Sequence, residues 1–190
     1  MRPSLETAAA LGLLLLSACA HRNAPRSGAG IQSVVTSLAP DSCEQQVDRN
    51  DPNETPYLVC SGVAGYSLIE RLVESGRESI DVVDPSQHTF PLNYQDLVTP
   101  AMSALDPRAE WRVQTKDDTQ VPIALIVRVQ AHEDISDPAR VTRTLAAVAK
   151  ITPGQACVVA SIPDTGQSAS EIRSAADSAR EKPCLRPASQ

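Results

Sequence analysis

Four cysteines, Cys43, Cys60, Cys157 and Cys184, constrain the fold of this chain more than any other feature. They follow an apolar run, Ala8–Leu16, placed behind Arg2 in the manner of a secretion signal. An exported chain meets an oxidising compartment, where the even count left once the fifth cysteine, Cys19, is set aside implies disulfides. Four cysteines allow three connectivities. Local pairing, Cys43–Cys60 with Cys157–Cys184, is preferred because each pair then brackets one structural unit. Loops of that size stabilise a fold by roughly 3 kcal/mol each in the chain-entropy account. No C-x-x-C pair or histidine–cysteine cluster is present, so a metal site is the weaker reading of these residues.

The end of the apolar run, Leu16-Ser17-Ala18-Cys19, resembles the lipobox of a bacterial lipoprotein signal: an aliphatic residue, two small residues and a cysteine. The resemblance implies a signal over 1–18, cleavage before Cys19 and acylation of that cysteine. More than one acyl chain holds a protein firmly in a membrane. Two readings compete. Ala18-Cys19-Ala20 also fits the small-x-small pattern of ordinary secretory cleavage, which would discard Cys19. An uncleaved anchor needs about 20 apolar residues, more than this run supplies. Glu6 offsets Arg2 and leaves the leading segment little charge. By the same resemblance, Ala20 rather than Asp after the cysteine points to the outer membrane, facing the periplasm. Residues 19–30 carry the lipidated cysteine and a small, polar, breaker-rich tether. As a coil it reaches roughly 20 Å, which keeps the domain close to the membrane.

The remaining residues, 31–190, suit a single domain. The apolar fraction of 42% supports a core, yet there are only one Trp, one Phe and three Tyr, so that core must be aliphatic. A net charge of −6 and a pI near 5.0 argue against a nucleic-acid partner, which needs a basic stripe. They argue equally against a polybasic membrane patch. An acidic surface suits a cationic partner and also serves ordinary solubility.

Most of the domain reads as strands: Ser33–Leu38, Tyr57–Ser61, Tyr66–Val73, Arg77–Val83, Glu110–Thr115, Ile123–Gln130, Val141–Ile151 and Ala156–Ile162. Glu74-Ser75-Gly76 reads as a hairpin turn, and Pro153-Gly154 as another. The unbroken apolar run Ile123-Ala-Leu-Ile-Val predicts a central strand buried on both faces. Thr142–Ala149 has helical propensity, but the turn after it favours a strand. One helix is clear. Ser168-x-x-Glu171 matches a capping box, and Ile172, Ala175, Ala176 and Ala179 form one apolar stripe that Pro183 ends. Gln95–Leu105 suggests a shorter helix or turn, and Leu185–Gln190 a frayed tail. The sum is an α+β fold: a mainly antiparallel sheet of six to eight strands with one C-terminal helix packed on it.

Cys60-x-Gly62-x-x-Gly65-Tyr66, Arg77-x-Ser79-Ile80, Glu110-Trp111-Arg112, Ala124-x-Ile126-x-Arg128 and Cys157-Val-Val-Ala before a helix that ends in a cysteine resemble a family of exported bacterial proteins with two cysteine pairs. The resemblance spans roughly 43–184. It implies the disulfides and the fold, and no activity.

Candidate site residues are few. His21 lies in the tether. His88 sits in the loop Pro85–Pro91. His132-Glu133-Asp134 ends a strand, where alternation lets only His132 and Asp134 converge, and no metal-site spacing supports them. With the cysteines used as disulfides and no G-x-S-x-G elbow, a nucleophile is poorly served. The most pointed loop is Ser61, Gly62, Gly65 and Tyr66, a candidate binding loop. It resembles the Ser-Gly-x-x-Tyr loop of small lipid-anchored inhibitors of C-type lysozyme, with one residue too many. The plainer reading is a bulge or tight turn after a disulfide-bonded strand. Trp111 reads as the largest core anchor, with Glu110 and Arg112 as an exposed pair of little energetic weight. The sequence thus points to a lipid-anchored envelope protein that binds an envelope protein or cell-wall ligand rather than catalysing. Lysozyme inhibition and an envelope hydrolase are the alternatives. No cofactor, metal or nucleic-acid signature is present.

Overall fold

The computed structural model describes residues 30–49, 51–74 and 76–187. The signal over 1–18, Cys19 and the tether through residue 29 lie outside the described residues, as do Ser75 of the hairpin turn and the last three residues of the tail.

Among the described residues, ten strands form one sheet. They are β1 (Ile31–Ser37), β2 (Cys43–Val47), β3 (Pro56–Ser61), β4 (Ser67–Val73), β5 (Arg77–Val83), β6 (Thr89–Pro91), β7 (Met102–Lys116), β8 (Thr119–His132), β9 (Arg143–Thr152) and β10 (Gln155–Pro163). The short helix α1 (Tyr94–Leu97) precedes β7, and α2 (Ala169–Asp177) follows β10, continued by a 3-10 turn at Ala179–Glu181. The strand order is β10-β9-β8-β7-β5-β4-β3-β2, with β1 added to β7 and β6 to β5. Every pairing is antiparallel except β5 with β7, which meet in parallel at Arg77 and Ser103.

The 15-residue strand β7 explains how one sheet makes two layers. An irregularity between Leu105 and Ala109 divides it. Its first part lies beside β5, while its second part carries β1. The sheet folds across that break. Ala109, Trp111 and Val113 of β7, with Leu125, Val127 and Val129 of β8 and Ala147, Ala149 and Ile151 of β9, share one core with Cys60, Leu68, Ile80 and Val82 from the other half. The opposite face of β8 and β9, bearing Ala124, Ile126, Ala146 and Val148, packs on Ile172, Ala176 and Ala179 of the C-terminal helix. Ile123–Val127 is therefore covered on both sides, which is why its apolar run does not alternate.

The α+β class, the antiparallel character and the helix on the sheet agree with the sequence reading. The strand count exceeds the expected six to eight. The additional strands β2 (CEQQV) and β6 (TFP) are short, polar or proline-bearing, and lack the apolar alternation that marks a strand. The front of β7 was hidden by Asp106-Pro107-Arg108, which the break in register absorbs. Of Gln95–Leu105, only the first residues are helical. Ser168 does precede α2, but its hydroxyl makes no cap bond to the helix. It accepts from the Thr165 N–H at 3.2 Å and donates to Asp164 at 3.3 Å, so the capping box does not form. The tail is not loose at Leu185, whose N–H donates to the Val158 carbonyl at 2.7 Å.

Both local disulfides are present. Cys43 and Cys60 sit directly opposite on β2 and β3 with Cα atoms 4.4 Å apart, the spacing of a non-hydrogen-bonded antiparallel pair. Cys157 of β10 and Cys184 beyond α2 have Cα atoms 5.7 Å apart. This bond ties the end of the helical segment to the edge of the sheet.

Candidate functional site

Strand register builds a cleft with acidic groups between apolar walls. Across the inner face of β2–β5, Gln45, Leu58, Glu70 and Ile80 form one row, since each opposes the next. In the next row outward Leu72 opposes Glu78. The row before them holds Cys60, Leu68 and Val82 and lies inside the core. The inner face thus runs on past the edge of the core, and side chains that alternation aims inward end in a cleft instead. The cleft encloses about 260 Å³ between Pro40, Pro56, Leu58 and Leu72, with Glu70 and Glu78 inside it. Pro40 belongs to the 3-10 turn between β1 and β2.

The two carboxylates differ. Glu78 accepts the Leu105 backbone N–H through Oε2 at 2.7 Å. Among the described residues, no hydrogen-bond donor or cation meets Glu70. Burial, reinforced by the nearby Glu78, pushes its carboxyl up from an ordinary 4.5 to about 7. Its sequence neighbour Arg71 cannot neutralise it, because successive side chains of a strand point to opposite faces. Arg71 instead pairs with Asp81 at 2.6 Å on the outer face and lies 4.9 Å over the Tyr57 ring. The sequence signal for this cleft is the parity of Leu68-x-Glu70-x-Leu72, a carboxylate at an inward position, and it was missed.

The Ser61–Tyr66 segment is a tight connection between β3 and β4. The Gly62 N–H donates to the Tyr66 carbonyl at 3.0 Å, and the Tyr66 N–H to the Val63 carbonyl at 2.9 Å. Val63 is buried, while Ser61, Ala64 and Gly65 are exposed. The half-buried Tyr66 ring meets Trp111 with centroids 6.1 Å apart. Gly62 has no room for a side chain, since a Cβ there would stand 2.7 Å from the Trp111 ring and 2.8 Å from the Tyr66 carbonyl oxygen. Gly65 supplies a left-handed φ of 81° after Ala64 at 51°. The two glycines and Tyr66 are thus used in closing the turn onto the core.

Trp111 is the core anchor expected, fully buried, with its indole N–H donating to the Thr36 hydroxyl at 2.9 Å. The expectation for its neighbours fails. Glu110 and Arg112 are each only 7% exposed, because α2 lies over their face of β7. Arg112 reaches both carboxylate oxygens of Asp177, at 2.6 and 3.1 Å, and also donates to the Ser33 hydroxyl. Glu110 accepts from Ser33 at 2.5 Å and from Arg173 at 2.9 Å. Burial drives the Glu110 carboxyl up, but the hydrogen bonds from Arg173 and Ser33, with the nearby arginine charges, outweigh it and leave the group below its usual range. The pair is a buried link among β1, β7 and α2.

The histidine candidates do not assemble. His88 lies 3.2 Å from Asp84, whose other carboxylate oxygen caps the backbone N–H groups of Ser86 and His88 in an Asx turn. Near His132, Glu133 pairs with Arg143 at 2.7 Å and Asp134 with Arg140 at 3.3 Å. Among the described residues no group of three or more metal-ligating side chains forms, and no helix is long and apolar enough to cross a membrane. His21 and Cys19 lie outside the described residues. These features define a disulfide-stapled, two-layered sheet domain with one covering helix. No protein-family model, curated protein or solved structure matches the chain.

Proposed function

We propose that this protein is a lipid-anchored bacterial envelope protein, held at the outer membrane through Cys19, whose domain binds a ligand in the periplasm. The observation that carries the binding half is the cleft of Glu70 and Glu78. It is open and walled by aliphatic side chains and prolines, and it holds a carboxylate that meets no donor or cation among the described residues. A site with apolar walls and a few convergent polar groups is the usual form of a ligand pocket. The anchoring half rests on Leu16-Ser17-Ala18-Cys19, and the two disulfides fit export to an oxidising compartment.

Fatty-acid labelling tests the anchor. The wild-type chain should take up label and fractionate with membranes, and Cys19→Ser should lose both. Label kept by that variant would rule out the lipobox assignment.

One observation favours a second reading, an envelope hydrolase. A carboxyl raised to about 7 beside another carboxylate is a pattern that acid–base pairs share. Incubation with purified cell-wall polymer separates the two. A binding module retains the polymer intact, whereas a hydrolase releases soluble fragments and loses that release in Glu70→Gln. The lysozyme-inhibitor reading has less geometric support, because the Tyr66 ring that would enter a foreign cleft is held against Trp111.

A further inference from the structure

We propose that the Glu70–Glu78 cleft is a recognition site for a lysine side chain carried in an apolar peptide context. This identifies the ligand class for the binding module above and rests on that reading.

Three properties of the cleft select this chemistry. Its interior charge is negative and uncompensated, since Arg71, the nearest cation in sequence, is turned to the other face and held by Asp81. Its walls, Pro40, Pro56, Leu58 and Leu72, suit a methylene stem rather than a hydrated ion. Its volume of about 260 Å³ lies just below the range of drug-sized pockets, which fits one side chain better than a larger molecule.

The acceptors fit an ammonium group. Glu70 offers both oxygens, and Glu78 offers the one not committed to Leu105. The Gln45 side-chain carbonyl stands in the same transverse row as Glu70. An ammonium carries three donors that it can direct separately to Gln45, Glu70 and Glu78, acceptors on three different strands, whereas the fork of a guanidinium is spent on a single carboxylate. A hard divalent cation is a poor alternative, because it takes six to eight oxygen ligands and the walls here are hydrocarbon. Binding an ammonium would also relieve the repulsion between the two glutamates. Glu78 is the charged group that faces Glu70 from the adjacent strand.

The test uses the mature protein and a matched pair of probes, acetyl-Leu-Lys-Leu-amide and its norleucine counterpart, titrated at constant ionic strength and followed by amide NMR shifts. Norleucine keeps the aliphatic stem and lacks the charge. The lysine peptide should shift the amides of Leu58, Leu72 and Glu78 and bind more tightly as pH rises from 5 to 8. The norleucine peptide should bind roughly tenfold or more weakly, without pH dependence, as expected when a charged hydrogen bond is removed. Glu70→Gln should shrink the difference between the probes and remove its pH dependence, leaving only what Glu78 contributes. Leu72→Ala, at a position 57% exposed and so safe for folding, should weaken both. Equal binding of the two peptides, shifts confined to other surfaces, or a lysine preference left undiminished by Glu70→Gln would overturn the proposal. Such a result would leave the anchored binding module standing if fatty-acid labelling and cell-wall retention still held. Failure of those measurements would instead strike the broader reading.

Discussion

Glu70 makes stability depend on pH in a direction opposite to that of Glu110 and Asp164. Its folded-state carboxyl titrates at about 7 against an ordinary 4.5, so the native state holds the proton more tightly than the unfolded chain. The resulting stability is complete below pH 4.5 and is lost as pH rises through about 7. Glu110 and Asp164 have the other sign. Both are held below their usual range, so their contribution is present at neutral pH and lost on acidification through their folded-state values. Unfolding in urea should therefore show lower stability at pH 8 than at pH 5.5, by about 1–2 kcal/mol, a figure reduced because water reaches the cleft. Glu70→Gln should flatten that slope and raise stability at pH 8. A slope unchanged by the substitution would mean that the carboxylate is already solvated. Nothing in the residue type reveals this. What reveals it is that Glu70 shares strand parity with the fully buried Leu68 while standing past the edge of the core.

At the scale of elements, the link between β7 and α2 is the clearest case of what local pattern can and cannot reach. Alternation correctly put Glu110 and Arg112 on one face and Trp111 on the other. It could not say that a helix later in the chain would cover that face, with Arg173 and Asp177, 63 and 65 residues on, placed to meet the two charges. The consequence is energetic. An exposed pair contributes a few tenths of a kcal/mol, but Arg112→Ala here removes two bonds to Asp177 and one to Ser33 and should cost about 2–4 kcal/mol. Chemical denaturation checks it, and a loss under about 0.5 kcal/mol would return the pair to the surface class. Elements whose burial is uniform were legible. Ile123–Val127 is covered on both faces, so its run of apolar residues needs no partner to interpret. The stripe Ile172, Ala175, Ala176 likewise identifies the buried side of α2 without reference to the sheet. Strands β2 and β6 were illegible because their pairing partners, not their own side chains, make them strands.

For the whole molecule, the two disulfides lie in opposite halves of the folded sheet. Cys43–Cys60 closes the β2 edge, and Cys157–Cys184 fastens the helical segment to β10. Replacing both cysteines of either pair by alanine should lower stability by about 2–5 kcal/mol, measured by thermal or urea unfolding under oxidising conditions. The Cys157–Cys184 variant should lose the protection of α2 amides first in hydrogen exchange, because that bond restrains the helix end. Equal protection across the sheet and helix in that variant would show that the β7–α2 ion pairs suffice.

The parallel contact between β5 and β7 sets a polarity for the domain. Ile31, where the chain leaves the tether, lies opposite Gln114, while Arg77, beside Glu78, lies opposite Ser103 on the same strand. Eleven residues separate those two positions on β7, roughly 36 Å at the rise of an extended strand and somewhat less across the break in register. The first described strand therefore begins toward one end of β7, and the carboxylate cleft lies toward the other. Under the proposal that Cys19 is acylated, the tether would join the domain toward its β7–β8 end and leave the cleft toward the far end of β7, like a receptor on a short stalk.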